Sequence, residues 1–224
     1  MIAKTPDVDS YTERGELQEQ IGNFEAAAKD AAAARALDPS DMGALKLAAD
    51  VAAHRGALND ATRMLDERIS VGGKDTDELR AMKADLVGTL GDPQQGLALI
   101  DELIASKPGR PELLNVRCWI KGTRNVSIDN ALKDCTSGIE LTDNTAPILD
   151  SRALVWLRMG KLDAALSDVD AALLQTPNLG ASRFLRALVL KRLGRMPEAE
   201  RELLAARRLT PGTETDYRRF GLTY

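Results

Sequence analysis

The sequence predicts an all-α protein, a solenoid in which helix-turn-helix units repeat along the chain. Small and turn-forming residues return after 34 positions, as in the pairs Ala153 and Ala187, Gly160 and Gly194, and Pro177 and Pro211. A period of this length is typical of repeat proteins, in which each unit buries its apolar face against its neighbours. Hydrophobic residues make up 44% of the chain but aromatic residues only 4%, so small aliphatic side chains dominate, as close helix packing requires.

Six units can be placed end to end, at residues 8–41, 42–76, 77–110, 111–145, 146–179 and 180–213. The second and fourth units are each one residue longer than the others. The remaining residues, 214–224, are predicted to form a C-terminal cap. Its apolar residues Tyr217, Phe220, Leu222 and Tyr224 are expected to cover the face that unit six leaves open, since end repeats need such a cover.

Unit five shows why each unit is predicted to contain two helices. Thr145 is an expected N-cap, and Pro147 stands in the first turn, where its missing N–H has no cost. Gly160 ends the first helix because glycine best adopts a left-handed C-terminal conformation. The second helix carries an apolar stripe at helical spacing, made of Leu162, Ala165, Leu166, Val169, Ala172 and Leu173. Pro177 then stops that helix.

From residue 8 to residue 213 these patterns resemble the tetratricopeptide repeat (TPR) family. Its small residue in the first helix is matched by Gly15, Ala49, Ala84, Cys118, Ala153 and Ala187, and its small residue in the second helix by Ala27, Ala61, Gly96, Ala131, Ala165 and Ala199. Its closing proline is matched by Pro39, Pro108, Pro177 and Pro211, while Gly73 and Asp143 replace it in units two and four. The resemblance implies a right-handed superhelical solenoid of six helix pairs.

Three segments also resemble a bacterial subset of TPR proteins: Arg117-Cys118-Trp119, Ala131-Leu132-Lys133-Asp134-Cys135 and the ending at residues 217–222. Some members of that subset are free-standing, and others are tails of exported transglutaminase-like proteins. One alternative is therefore that the chain is the accessory tail of a larger enzyme. The N-terminus lacks the features of a signal peptide, which predicts a cytoplasmic location, or a periplasmic one if the chain belongs to a longer exported protein.

Catalytic chemistry is not expected. A hydrolase triad needs a histidine base between a nucleophile and an orienting group, and His54 is the single histidine. His54 is instead expected to bond the last carbonyls of its helix. One histidine without a paired-cysteine motif also gives too few ligands for zinc, so no metal and no cofactor are predicted. The net charge of −4 and the isoelectric point near 5.2 argue against nucleic-acid binding. No apolar run reaches the ~20 residues of a membrane span.

The charge is unevenly distributed along the chain. Residues 1–110 hold 13 Lys and Arg against 20 Asp and Glu, a net of −7, whereas residues 111–224 hold 17 against 14, a net of +3. The acidic end of one molecule could meet the basic end of another, which makes a self-assembling scaffold or homo-oligomer a second alternative. The simpler interpretation is that these charges solvate the outer faces.

Cys118 and Cys135 are predicted to be neighbours, because the TPR register places one on each helix of unit four. Their side chains could form a disulfide bridge. The alternative is a pair of reduced, buried thiols that pack as small hydrophobic side chains. The compartment decides between the two, since disulfides persist in oxidising surroundings.

The resemblance implies that the first helix of each unit lines a concave groove, which binds a protein or peptide. The predicted contact residues lie in units four to six: Asn115, Trp119, Leu154, Leu157, Arg158, Phe184, Leu188, Lys191 and Arg192. Such an apolar strip with a basic edge suits a peptide or helix that has apolar anchors and acidic groups. The carboxylate clamp of chaperone-binding TPR proteins is not supported, because Asp50 follows Lys46 where that clamp needs Asn.

Two alternatives to this groove stay open. A register shift of one residue in unit four would turn Trp119 toward the core. The terminal segment, rather than a partner, would cover Phe184 and Leu188.

Overall fold

The computed structural model describes residues 7–224, which form thirteen α-helices and, within that range, no strand. The first six helices are α1 (Val8–Gln20), α2 (Phe24–Leu37), α3 (Met42–His54), α4 (Leu58–Val71), α5 (Thr76–Leu90) and α6 (Pro93–Ser106). The next six are α7 (Pro111–Arg124), α8 (Ile128–Glu140), α9 (Ala146–Arg158), α10 (Leu162–Gln175), α11 (Gly180–Arg192) and α12 (Met196–Leu209). A short helix, α13 (Thr213–Arg219), follows them.

The helices pack as a repeat solenoid, which confirms the predicted all-α fold class. Each odd-numbered helix from α1 to α11 packs against the helix that follows it, and each pair then packs against the next pair. Successive odd-numbered helices also contact one another, from α1 through α11. These six helices therefore form one continuous layer, and this layer lines the inner face of the solenoid.

The first helix of several units ends at a glycine with positive φ, as the sequence predicts. Gly56, Gly160 and Gly194 follow the first helices of their units with φ values of 88°, 70° and 76°, which glycine adopts without strain. At the start of α3, Asp41 Oδ1 accepts a hydrogen bond of 2.7 Å from the Ala44 N–H. Thr145 precedes α9 as predicted, but its hydroxyl makes no capping bond there and instead accepts one from Gln175.

The two longer units differ from the others at different places. In unit two the outgoing turn carries Gly72 and Gly73, both with positive φ. In unit four α7 has 14 residues, one more than α9 or α11, and in the three-residue turn that follows it Asn125 and Ser127 adopt left-handed conformations with φ values of 54° and 48°. Since Asn tolerates this region better than most residues, the turn fits its sequence at Asn125.

The core consists mainly of the small residues that the repeat pattern identified. Ala27, Ala61 and Ala165 are completely buried between the helices of their pairs. In unit three the contact is closer still, because a Cβ placed on Gly96 would lie 2.3 Å from the Gly88 Cα. Helices α5 and α6 thus touch through their backbones, and a larger residue at Gly96 would force them apart.

An arginine on the first helix of a unit pairs with an acid on the second helix in four of the units. In unit five, Arg152 donates two hydrogen bonds to Asp168, at 2.7 and 2.9 Å. The equivalent pairs are Arg14 with Asp30, Arg117 with Asp134, and Arg186 with Glu202. Units two and three have Ala48 with Met64 and Lys83 with Leu99 at these positions, so the pair is missing there.

The terminal segment, residues 213–224, lies on the inner face of the solenoid. It begins beside unit one, where a Cβ placed on Gly212 would lie 3.2 Å from the Gly22 Cα. Its residues Tyr217 and Leu222 are each only 2% exposed and join the core that α9 and α11 contribute. The sequence predicted a cap over unit six, and α13 does contact α11 and α12. The segment also extends across the concave side, where Phe220 meets Trp119 of α7.

Candidate functional site

The apolar residues of the predicted groove are covered by the chain itself. Leu154 and Leu157 are fully buried, and Phe184 and Leu188 are 1% and 2% exposed. The Phe184 ring packs edge-on against Tyr217 of the terminal segment, with ring centroids 5.0 Å apart. These four residues therefore line a surface that the terminal segment occupies, and they do not form an open groove in this structure.

Trp119 keeps the orientation toward the inner face that the register predicted. It is half-buried, and its ring meets Phe220 edge-on at a centroid distance of 5.9 Å. Asn115, one turn earlier on α7, is also half-buried, and its Oδ1 atom has no hydrogen-bond partner among the described residues. The shift in register considered for unit four does not occur at Trp119.

The basic edge of the predicted groove is also used within the chain. Arg158 donates to the backbone carbonyls of Gly122, Thr123 and Phe220. Burial, and then repulsion from Arg192, lowers the pKa of its guanidinium. Lys191 Nζ lies 4.4 Å from the centre of the Tyr224 ring, a cation–π contact, and Arg192 donates to the Leu157 carbonyl at 3.2 Å. The expected acidic ligand of this edge is thus replaced by the chain's own carbonyls and an aromatic ring.

The open part of the inner face lies between α3, α5 and α7. We call it the inner hollow; it has a volume of about 610 Å³. Its apolar floor is formed by Ala81, Met82, Leu113 and Val116. A volume of this size holds one or two large side chains.

The rim of the inner hollow is predominantly acidic. Five carboxylates line it (Asp50, Asp77, Glu78, Asp85 and Glu112), against the two cations Lys46 and Arg110. Three of these acids are paired with cations: Glu78 with Lys46 at 2.7 Å, Asp77 with Lys107 at 3.5 Å, and Glu112 with Arg110. The sequence signal for this acidity was the net charge of −7 in residues 1–110, but the predicted site was placed at the opposite, basic end.

Behind the inner hollow a smaller cavity of about 170 Å³ separates α3 and α5 from the terminal segment. Its polar lining includes Asp50, His54, Asp85 and Asp216. Burial, and then the charge of Asp50, raises the pKa of Asp85 to about 7. His54 Nδ1 lies 3.0 Å from the carbonyl oxygen of Asp50, one turn earlier on α3, whereas the sequence predicted a contact with the last carbonyls of this helix.

Cys118 and Cys135 face each other from α7 and α8, as the register predicted. Both are completely buried, their Cα atoms are 5.6 Å apart, and their sulfur atoms are joined in the structure. Ala131, Ile148 and Val155 surround them. The redox state of the pair in its own compartment stays a prediction.

Comparison with known families gives the identity of the repeats. A tetratricopeptide repeat family model matches residues 12–63 and 152–213, together just over half of the chain. The chain belongs to the tetratricopeptide repeat family. Between these two matches, residues 64–151 are unmatched; they comprise the end of unit two, all of units three and four, and the start of unit five.

Solved TPR-like structures share the fold at low sequence identity. A chain of the APC/C hetero-tetramer Cut9–Hcn1 matches 96% of this chain with a TM-score of 0.63 and 15% identity; the chain spans 42% of that longer one. A tetratricopeptide repeat protein from Parabacteroides merdae ATCC 43184 matches 91% of this chain and 80% of its own, with a TM-score of 0.57 and 16% identity. A MamA RS-1 double mutant matches 76% and 95%, with a TM-score of 0.53 and 14% identity.

No curated protein sequence matches this TPR chain. None of the helices among residues 7–224 is long and apolar enough to cross a membrane. The TPR fold and family membership support a protein-interaction module. Neither the comparisons nor the fold tests the bacterial origin or the relation to transglutaminase-like proteins, and both stay predictions.

Proposed function

We propose that this TPR protein is a non-enzymatic interaction module that binds a peptide or helix of a partner protein in the inner hollow. The observation that carries the proposal is that α3, α5 and α7 leave an apolar floor uncovered, while the terminal segment covers the inner face of units four to six. Repeat solenoids use their concave surfaces for binding, and the inner hollow is an accessible part of that surface with an apolar floor.

The chemistry of the inner hollow selects the ligand. Leu113 is almost fully buried in the floor, and Met82 beside it is half-buried. Methionine adapts to apolar side chains of different shape. The acidic rim favours Lys or Arg next to those apolar anchors, because opposite charges attract across the rim and like charges repel. The proposed ligand is therefore an apolar helix or peptide with basic flanks, the reverse of the acidic ligand that the sequence predicted for units four to six.

A binding titration tests the proposal. Two fluorescent helical peptides present the same leucine stripe, one flanked by lysines and the other by glutamates. We expect the lysine peptide to bind more tightly, with an affinity that falls as salt is raised, since salt screens exposed charges. Met82→Lys should weaken its binding by about tenfold or more, because the new ammonium occupies the floor and repels the peptide.

Leu174→Lys is the matched control for this titration. Leu174 lies on α10, outside the inner hollow, and is 85% exposed, so the same cation there should leave binding unchanged. Equal binding of the lysine and glutamate peptides, or equal loss in both variants, would exclude the inner hollow as the site.

The accessory-tail and self-assembly alternatives stay predictions. A longer reading frame upstream of Met1 would favour the tail. Sedimentation at low and high salt tests self-assembly, since screening should dissociate a contact between the acidic and basic ends.

A further inference from the structure

Three potential metal ligands converge where α1 meets α3, at the edge of the cavity behind the inner hollow. Glu19, Asp50 and His54 each place one ligand atom within 4.8 Å of the others. Glu19 comes from unit one, and the other two lie one turn apart on α3. The arrangement thus joins two repeats.

The packing around His54 holds the imidazole in place. The ring stacks on Phe24, with centroids 5.4 Å apart and an angle of 6° between the ring planes. Nδ1 lies 3.0 Å from the Asp50 carbonyl oxygen and 3.5 Å from Asp50 Oδ2. A neutral imidazole has a lone pair on one of its two ring nitrogens, and this is the form in which histidine binds metals.

Negative charge exceeds positive charge around these residues. Asp216 of α13 and Asp85 of α5 line the same cavity as Asp50 and His54, which brings four carboxylates together when Glu19 is counted. The nearby guanidinium is that of Arg219, which lies 3.6 Å from Asp216 Oδ1 and donates to the His54 carbonyl. One guanidinium cannot balance four carboxylates.

Two of these carboxylates have a buried oxygen without a partner. Glu19 Oε1 and Asp85 Oδ1 are both inaccessible to solvent and make no hydrogen bond to the described residues. Buried carboxylates without partners are costly, so the cluster needs protons or a cation to compensate them.

We propose that Glu19, Asp50 and His54 bind a divalent first-row transition-metal ion, such as Zn²⁺. Imidazole together with carboxylates suits these ions, whereas Mg²⁺ and Ca²⁺ prefer oxygen ligands alone. Bond lengths of about 2.0–2.2 Å place tetrahedral ligand atoms about 3.4 Å apart, so small side-chain rotations would close the site around the ion. Asp216 would add negative charge from the terminal segment, and the ion would hold that segment against units one and two.

The sequence predicted no metal because a single histidine without a paired-cysteine motif gives too few zinc ligands, and carboxylates were not counted. The carboxylates of this cluster come from helices separated by up to about 200 residues of chain, from Glu19 to Asp216. Only the closure of the solenoid around the terminal segment brings them together. The inference is independent of peptide binding in the inner hollow.

Calorimetric titration of the metal-free chain, prepared with a chelator and without a histidine tag, tests the site with ZnCl₂, MnCl₂ and MgCl₂ as probes. We expect one Zn²⁺ per chain, with Mg²⁺ binding at least about tenfold more weakly. His54→Gln should weaken Zn²⁺ binding by about tenfold or more, through loss of a ligand. Asp163→Asn removes an exposed carboxylate of α10 and should bind Zn²⁺ as the unmodified chain does.

Glu19→Gln keeps the proposal testable if the His54 variant folds poorly. It removes one metal ligand and keeps the size and polarity of the side chain, so the melting temperature of this variant should rise less on addition of Zn²⁺ than that of the unmodified chain. Any of three results would overturn the proposal. These are a chain that does not bind Zn²⁺ one to one, a chain that binds Mg²⁺ as tightly as Zn²⁺, or a Zn²⁺ affinity that both His54→Gln and Glu19→Gln leave unchanged.

Discussion

Tyr217 of the terminal segment packs against Phe184 of α11 with ring centroids 5.0 Å apart and an angle of 62° between the ring planes. Edge-to-face contacts of this kind stabilise aromatic pairs beyond the burial of their area. The contact places the end of the chain on the apolar surface that the repeat register had assigned to a partner. It therefore divides the inner face into a covered part, in units four to six, and the open inner hollow.

Tyr217→Ala should lower the free energy of unfolding by about 3–5 kcal/mol, because it removes a large side chain that is only 2% exposed. Tyr217→Phe is the matched control. The Tyr217 hydroxyl is buried and has no partner among the described residues, so its removal should leave stability unchanged or raise it. Urea denaturation measures the free energy of unfolding of both variants. A large decrease in the Tyr217→Phe variant would show that the hydroxyl makes a stabilising hydrogen bond.

The pH dependence of stability should carry a contribution from Asp150. Burial raises the pKa of this carboxyl to about 6, an effect that a hydrogen bond with Ser182 partly opposes. The unfolded value is about 3.9, so the contribution is fully present below about pH 4 and is lost as the pH rises through 6. The loss amounts to roughly 2–3 kcal/mol at about 1.4 kcal/mol per unit.

Asp150→Asn tests that contribution by comparison with the unmodified chain. The variant cannot ionise at this position, so its advantage in unfolding free energy should grow by roughly 2–3 kcal/mol between about pH 4 and pH 8. Urea denaturation at several pH values gives this difference. A difference that stays constant with pH would mean that Asp150 titrates normally.

The cysteine pair should contribute to stability if it is oxidised. A bridge across the 17 residues between Cys118 and Cys135 is expected to stabilise the fold by about 3 kcal/mol, chiefly by restricting the unfolded chain. A reductant should therefore lower the urea midpoint of the unmodified chain and leave that of Cys118→Ala/Cys135→Ala unchanged. Thiol titration under denaturing, non-reducing conditions is the direct check, and two reactive thiols would disprove the bridge.

The Arg152–Asp168 pair links α9 to α10 and should be strongly coupled. Asp168 is 7% exposed, so Arg152→Ala leaves a nearly buried charge without its partner and should cost about 3 kcal/mol. The double variant Arg152→Ala/Asp168→Met reproduces the natural residues of unit two, Ala48 and Met64. It should recover much of that loss. Additive losses in denaturation experiments would contradict the coupling.

The repeat pattern predicted the helices well because the 34-residue period results from contacts within each unit and between adjacent units. The small residue Ala153 and the turn residue Gly160 are determined by contacts within a unit and with its neighbours. The arginine–acid pairs could also have been found, since Arg152 and Asp168 are 16 residues apart and Arg14 and Asp30 have the same spacing.

The contacts of the terminal segment could not be predicted in the same way. Arg158 bonds Phe220 across 62 residues, and Arg219 bonds His54 across 165. A register identifies which residues face inward, but it does not specify what covers them. In this structure the apolar strip with the strongest sequence signal is the strip to which the chain's own aromatic end binds.

Methyl NMR of methionine-labelled protein tests the central claim most directly, because the chain carries a probe inside the inner hollow and others outside it. Met82 lines the inner hollow, whereas Met196, at the start of α12, is 40% exposed and does not contribute to it. On addition of the lysine-flanked apolar peptide, the Met82 methyl resonance should shift in a saturable way while that of Met196 stays in place. A saturable shift at Met196 with none at Met82 would contradict binding in the inner hollow.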